Sequence, residues 1–194
     1  MIVDILGFLA ENFDLPILDW IAANLRCDVL DVLMPIITVL GDAGLFWIAA
    51  SLVLLCIPKY RKAGLGIAIS LLIGLVLCNI TLKPLIARIR PYDYQFKYFN
   101  KTIELLVATP HDFSFPSGHT IASFEAAVAL TIRHKKLGAA ALVLAVLIAF
   151  SRMYLYVHYP TDVLASVILG TAIAFLGCFL AEKLYGILAK KFAK

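Results

Sequence analysis

AGLGIAISLLIGLVLCNITL, residues 63–82, contains no charged side chain. A helix rising 1.5 Å per residue needs about 20 apolar residues to cross a hydrocarbon core roughly 30 Å thick. This run is long enough to do so. Val163–Ala181 is nearly as long and equally uncharged. Leu137–Ser151 and Ala43–Pro58 are shorter, a length that buried core helices share. In a chain that is 62% hydrophobic and 15% charged, with mean hydropathy +0.94, they read as spans whose polar ends reach down to the membrane interface. The same composition excludes a water-soluble globule of 194 residues.

The N-terminal part reads differently. Met1–Phe13 lacks a basic leading segment and carries Asp4 and Glu11, which predicts an interfacial helix rather than a secretory signal. Leu15–Leu40 continues in that style, with Asp19, Arg26, Asp28 and Asp31 interrupting the apolar turns. An extra span here is the alternative, but an apolar run of roughly 12 residues is too short for one. Cys27, Cys56, Cys78 and Cys178 show no Cys-x-x-Cys spacing and suit small hydrophobes better than metal ligands or disulfides. No repeat or interdomain linker is visible. The expected fold is an all-α integral membrane helical bundle of five to six spans. It forms a single domain over 1–194, with interfacial helices over 1–40 and a bundle over 41–190.

Five spans at about 42–58, 63–82, 117–132, 137–151 and 161–181 make the connections alternate between two sides. Lys59, Arg61 and Lys62, then Arg133, Lys135 and Lys136, then Lys183, Lys190, Lys191 and Lys194 gather on one. Every acid except Glu125 and Glu182 gathers on the other, with Arg26, Lys83, Arg88, Arg90, Lys97, Lys101 and Arg152. Short basic loops stay in the cytoplasm, so the acidic side is expected to face outward from a cell membrane crossed several times. This topology accounts for the net charge of +4 without a nucleic-acid partner. No feature specifies an oligomeric state.

Three polar clusters fall on the outward side. The first, KPLIARIRP at 83–91, leaves the second span. Snorkelling cations at a helix end are common, but Lys83 and Arg90 are seven apart, which predicts both on one helix face, two turns apart. A lysine point charge beside an arginine fork suits phosphate oxygens. The second cluster, FPSGHT at 115–120, opens the third span, with Ser117 the expected N-cap. Free N–H groups at such a terminus bind anions, and Gly118 allows close approach to the backbone. Neither requires His119, which alone would more often be an interfacial residue. The third cluster is SRMYLYVHYPTD at 151–162. Asp162 lies in the first turn after Pro160, where a carboxylate complements the helix dipole. The other reading has Asp162 accept a hydrogen bond from one nitrogen of His158, leaving the second nitrogen free and basic.

Together, Lys-x6-Arg-Pro, Pro-Ser-Gly-His and Ser-Arg-x5-His-x3-Asp, in that order between Lys83 and Asp162, resemble the three signatures of the type-2 phosphatidic acid phosphatase superfamily, with no fixed position departing. The resemblance implies a helical membrane bundle that hydrolyses phosphomonoesters or pyrophosphates at the outer bilayer surface through a phosphohistidine. It implies His158 as nucleophile, Asp162 as its orienting partner and His119 as general acid. Lys83, Arg90, Ser117, Gly118 and Arg152 would form the phosphate cradle. Three cations there would stabilise charge on the equatorial oxygens, a task otherwise given to a metal. No Asp, Glu, His or Cys grouping has metal-ligand spacing, so neither metal nor other cofactor is expected. The implied partner is a lipid phosphate taken from the bilayer. Short members commonly act on undecaprenyl pyrophosphate, a carrier lipid of wall synthesis, or on phosphatidylglycerol phosphate. The compact chain favours the first. Phosphatidic acid, or transfer of the phospho group to an acceptor other than water, are the alternatives.

Three further expectations concern depth and surroundings. A helix rises about 24 Å from Lys136 to Arg152, less than the hydrocarbon thickness, which puts Arg152 at or slightly below the outer headgroup boundary. Tyr92–Phe115, with Tyr92, Tyr94, Phe96, Tyr98 and Phe99, reads equally as an interfacial aromatic lid or as a polar surface loop. Glu125, an acid inside a span, reads equally as a packing residue or as a group bonded to a polar neighbour that supports the site.

Overall fold

A computed structural model describes the backbone of residues 2–192 and the side chains of residues 5–187. Met1, Lys194 and the side chains of Asp4, Lys190 and Lys191, which entered the readings above, lie outside the described residues. Among those described, every regular element is a helix.

The chain begins with α1 (Ile2–Leu9), passes through wide π-type turns at Ala10–Asp14 and continues as α2 (Leu15–Asn24). Next come α3 (Asp28–Val39) and α4 (Leu45–Cys56), separated by a tight turn at Asp42–Gly44. Ala43 and Gly44 are left-handed there (φ 49° and 67°), and the two helix axes differ by 41°. The expected span at 42–58 is therefore the second half of a broken helix.

The uncharged run forms α5 (Arg61–Gly74), then wide turns over Leu75–Leu82, then the single turn α6 (Lys83–Ile86). Ala87 is left-handed (φ 48°), and Arg90 is extended (ψ 156°), as the residue before a proline must be. This corrects the expectation of one continuous helix across 83–90. Lys83 and Arg90 do not share a helix face; a break in the helix separates them. Pro91 then starts α7 (Pro91–Phe99), so the first part of the segment read as a lid or a loop is a helix. Tyr92 and Tyr94 are buried on it, while Phe96, Tyr98 and Phe99 are exposed. An irregular segment follows to Ser117.

The remaining helices are α8 (Gly118–Arg133), α9 (Lys135–Tyr154) and α10 (Pro160–Phe192). α8 is central, packed by α5, α9 and α10, and its buried face holds Ala126, Ala127 and Ala129, small residues that let membrane helices approach closely. Three stretches, Pro58–Phe99, Lys135–Tyr154 and Pro160–Ile187, are long and apolar enough to cross a membrane. The bent α3–α4 pair makes a fourth if taken as one span. Val53, Val76, Val143, Ile168 and Phe175 face outward on α4, α9, α10 and the wide turns, an apolar surface suited to lipid. The molecule is an integral membrane bundle. Cys78 and Cys178 are buried in it, whereas Cys27 and Cys56 are exposed and unpaired.

The N-terminal helices do more than lie at an interface. Leu15, Leu18 and Ile21 of α2 pack with Met34 of α3 against Tyr154–Val157 and Tyr159, so they cover the connection between α9 and α10.

Candidate active site

One cavity of about 840 Å³ takes in Lys83, Arg90, Gly118, His119, Arg152 and His158. Ser117 and Asp162 do not line it; both are fully buried behind its wall. Apolar side chains, among them Ile48, Leu52, Leu71, Leu72 and Leu75, line its other part.

His158 sits in the five-residue connection from α9 to α10, whose residues are all buried. Its backbone N–H and that of Val157 both donate to the Arg152 carbonyl, at 3.3 and 3.1 Å. Tyrosines fix the same connection to the N-terminal helices. Tyr154 Oη donates to Asp31 (2.5 Å), and Tyr156 Oη donates to Asp19 (2.9 Å) while accepting from Gln95 (2.8 Å). Burial, then the charges of Arg90, Arg152 and Lys83, hold the His158 imidazole well below the usual histidine range, so it is neutral at neutral pH.

The proton on that neutral ring can be located. Asp162 Oδ2 lies 3.6 Å from His158 Nδ1, beyond hydrogen-bond reach, which corrects the expected direct bond. Ser114 stands between them. Its hydroxyl donates to Asp162 Oδ2 at 2.5 Å and lies 3.5 Å from His158 Nδ1. Having given its one proton to a carboxylate, Ser114 can only accept from the ring, so Nδ1 carries the hydrogen. On the other side Arg90 Nη1, a donor only, is 3.3 Å from Nε2. Nε2 is therefore the nitrogen without a proton, and its lone pair faces Arg90.

Asp162 is occupied elsewhere. Arg88 Nη1 donates to its Oδ1 (2.5 Å) and the Tyr159 N–H to its Oδ2 (3.1 Å). The Arg88 guanidinium lies 3.8 Å from the Tyr159 ring centre and also donates to Thr161 Oγ1 (2.8 Å) and to Asp14 Oδ2 (2.7 Å). Asp14 in turn accepts from the Thr161 N–H (2.9 Å) and hydroxyl (2.7 Å). The ion-paired groups Arg88, Asp14 and Asp162 are all buried.

Lys83 and Arg90 meet on a shared anion. Both donate to the carboxylate of Asp112, from the irregular segment before α8, and Arg90 Nε also binds the Asp112 carbonyl (2.8 Å). Arg90 Nη1 is fixed by the Val157 carbonyl (2.7 Å). Partial burial would push the Asp112 carboxyl up, but the two cations hold it down at about 2. Val107–Pro110 and Asp112 roof the cavity, tied down by Tyr92 Oη donating to the Pro110 carbonyl (2.6 Å). Arg152 is buried and donates to Thr38 Oγ1 (2.5 Å), leaving its Nε without a partner.

Ser117 precedes α8 but makes no side-chain cap; its N–H donates to Ser166 Oγ (2.9 Å) and its hydroxyl accepts from Thr120 (3.0 Å). Its N–H is thus engaged by protein, while its hydroxyl keeps a proton to donate. His119 Nε2 pairs with Asp42 Oδ1 at 2.7 Å. Glu125 lines the cavity lower on α8, buried, with no partner for Oε1, so the bond that one of its two readings requires is absent there. Gly74 makes room for it, since a Cβ at that position would overlap the Glu125 carboxylate. Among the described residues no three His, Cys, Asp or Glu side chains converge as a ligand set for a metal.

The arrangement gathers a lone-pair nitrogen, a second imidazole and three cations at the mouth of an apolar cavity. Such a set can receive a phosphate and displace one of its oxygens. Asp14, Thr38, Asp42, Arg88, Asp112 and Ser114 were not singled out from sequence. Arg88 lies inside the first quoted signature and Ser114 two residues before the second, so proximity was a signal. Asp14 and Asp42 meet partners 74 and 77 positions away, and nothing local marks them.

Comparison with known proteins places this geometry. The model of the PAP2 superfamily matches residues 60–184. An undecaprenyl-diphosphatase of Sulfolobus acidocaldarius is 37% identical over 131 residues, which is 67% of this chain and 61%, under two thirds, of that relative's length. The crystal structure of Aquifex aeolicus LpxE superposes with a TM-score of 0.71 at 26% identity, over 86% of this chain and 96% of that one. A transmembrane PAP2-type phosphatidylglycerolphosphate phosphatase from Bacillus subtilis superposes with a TM-score of 0.70 at 27% identity, over 94% of both chains.

Proposed function

The chain belongs to the PAP2 superfamily, and from that premise and the geometry of the cavity we propose that it is a membrane phosphatase acting on a lipid pyrophosphate, with undecaprenyl pyrophosphate as substrate and undecaprenyl phosphate as product. The observation that carries this reading is His158 Nε2, 3.3 Å from Arg90, in a cavity shared with Lys83, Arg152 and His119. The name of the Sulfolobus relative supports the choice of lipid.

In the proposed reaction the Nε2 lone pair of His158 attacks phosphorus. The bond from phosphorus to the leaving oxygen breaks, and His119 gives that oxygen a proton. Water then attacks the phosphohistidine, loses a proton to His119, and inorganic phosphate departs. Asp162, through Ser114, keeps Nδ1 protonated and balances the positive charge that His158 gains. Lys83, Arg90 and Arg152 stabilise charge on the equatorial oxygens, and the start of α8 at Ser117 and Gly118 borders them. Since those cations do the work a metal would do, activity is expected to survive excess EDTA; a loss restored by magnesium overturns that part. The apolar half of the cavity receives the first units of the lipid chain. Basic loops on the opposite side support an outward-facing site in a cell membrane.

A glycerolipid substrate, phosphatidylglycerophosphate or phosphatidic acid, is the second reading, favoured by the fold match across 94% of both chains to the Bacillus subtilis enzyme. Phosphate release from a panel of these lipids by the purified protein, compared as kcat/KM, separates the two. Absence of free phosphate with transfer to another lipid would point to a phosphotransferase. The histidine roles are tested by leaving group. His119→Ala should lose most of its rate on phosphatidic acid, whose leaving oxygen needs a proton, and recover on p-nitrophenyl phosphate, while His158→Ala should be inactive on both. Recovery of His158→Ala in place of His119→Ala would reverse the assignment.

A further inference from the structure

The break between α3 and α4 builds a seat for His119. Asp42 Oδ1 lies 2.7 Å from His119 Nε2. Next to it Gly41 leaves room for the ring: a Cβ there would stand 2.6 Å from His119 Cδ2 and 3.0 Å from Ile148 Cγ2. The backbone that follows is left-handed at Ala43 and Gly44, so the carboxylate is presented by a turn fixed against α8 rather than by a helix face. Two features of one short segment, an absent side chain and a present one, thus fit the same imidazole. The other charged groups lining this end of the cavity are the cations Lys83, Arg90 and Arg152, with Asp112 already held by the first two. A proton donor placed among cations is disfavoured in its charged form unless an anion touches it.

Resting on the general-acid reading of His119, we propose that Asp42 is the positioning residue of the leaving-group step. It holds the Nε2–H of His119 and favours the imidazolium once phosphate is bound. Nδ1 is then the nitrogen whose proton passes to the leaving oxygen as the phosphorus–oxygen bond breaks. In the second half of the cycle Nδ1 recovers a proton from the attacking water, and Asp42 keeps its hydrogen bond throughout. His158 and Asp162 thus have a counterpart in His119 and Asp42, one pair forming the phosphorus–nitrogen bond and the other releasing the oxygen. Asp42 lies outside the residues matched by the family model, 60–184, so the three signatures do not contain it.

The test compares Asp42→Asn, Asp42→Glu and His119→Ala on phosphatidic acid and on p-nitrophenyl phosphate. The Asp42 side chain is 56% exposed, so its replacement leaves the core intact. Asp42→Asn should lower kcat on phosphatidic acid about 10- to 100-fold with little change in KM, keep most of its rate on p-nitrophenyl phosphate, and be partly rescued by Asp42→Glu. An equal loss on both substrates, or a change confined to KM, overturns the proposal. If His119→Ala shows the leaving-group split and Asp42→Asn does not, the proposal alone falls. If neither shows it, the general-acid reading falls as well.

Discussion

Asp112 occupies the place where an incoming phosphate would need Lys83 and Arg90. The pairing lowers its carboxyl from 3.8 to about 2 against the upward push of partial burial. That drop corresponds to about 2.4 kcal/mol. The side chain is 54% exposed, and solvent screening reduces the useful part to about 1 kcal/mol. On the proposed reading every anion that enters must displace this carboxylate. Asp112→Asn should therefore tighten inhibition by orthovanadate about 5-fold at pH 7 and lower KM for lipid in the same direction. Vanadate titrations against initial rates in detergent measure it. An unchanged or higher inhibition constant would refute the reasoning, because Asp112 would then be aligning the two cations rather than competing for them. The same pair has a signature in stability. A carboxyl held below its ordinary value stabilises the fold above about pH 4, and that contribution disappears as pH falls to about 2. Melting of wild type and Asp112→Asn should converge over that window.

Arg88→Met leaves Asp14 and Asp162 buried without their cation, which costs about 3–5 kcal/mol. Its melting temperature should fall steeply, and a variant as stable as wild type would show the three groups to be independent. Gly74→Ala should destabilise through overlap with Glu125, and Glu125→Ala in the same chain should restore part of the loss; simple additivity in a double-mutant cycle contradicts that contact. With Cys27 and Cys56 replaced by Ser, a membrane-impermeant thiol reagent on intact cells should label Asn100→Cys and not Lys135→Cys, and the reverse pattern inverts the topology.

The bundle was legible because membrane spans are written in uninterrupted local runs, and Ala63–Leu82 has enough apolar length to be read alone. The signature residues were legible because they come in tight clusters. What periodicity missed was geometry made by exceptions to it. Lys83 and Arg90 looked like neighbours on a helix, yet Ala87 turns left-handed between them and Asp112 brings them together. Ala43 and Gly44 bend what hydropathy reads as a short first span. Asp14 and Asp42 resemble ordinary acids near a membrane surface, since the groups that give them meaning lie 74 and 77 positions away. Ser117 reads as a cap by its neighbours, but its hydroxyl makes no cap and accepts from Thr120 instead.

The tyrosine and arginine ties to the first helices have a consequence for how such chains diverge. Asp14, Asp19 and Asp31 are three anchor points on which the His158 connection hangs, and all three precede the stretch that the family model matches. Two chains could therefore carry identical signatures and still differ in how firmly His158 is held. A hybrid with the first 40 residues of a distant relative would inherit every reacting atom and lose its alignment, showing weak turnover with intact substrate binding. Variation in the leading segment becomes a dial on rate, set apart from the chemistry it serves.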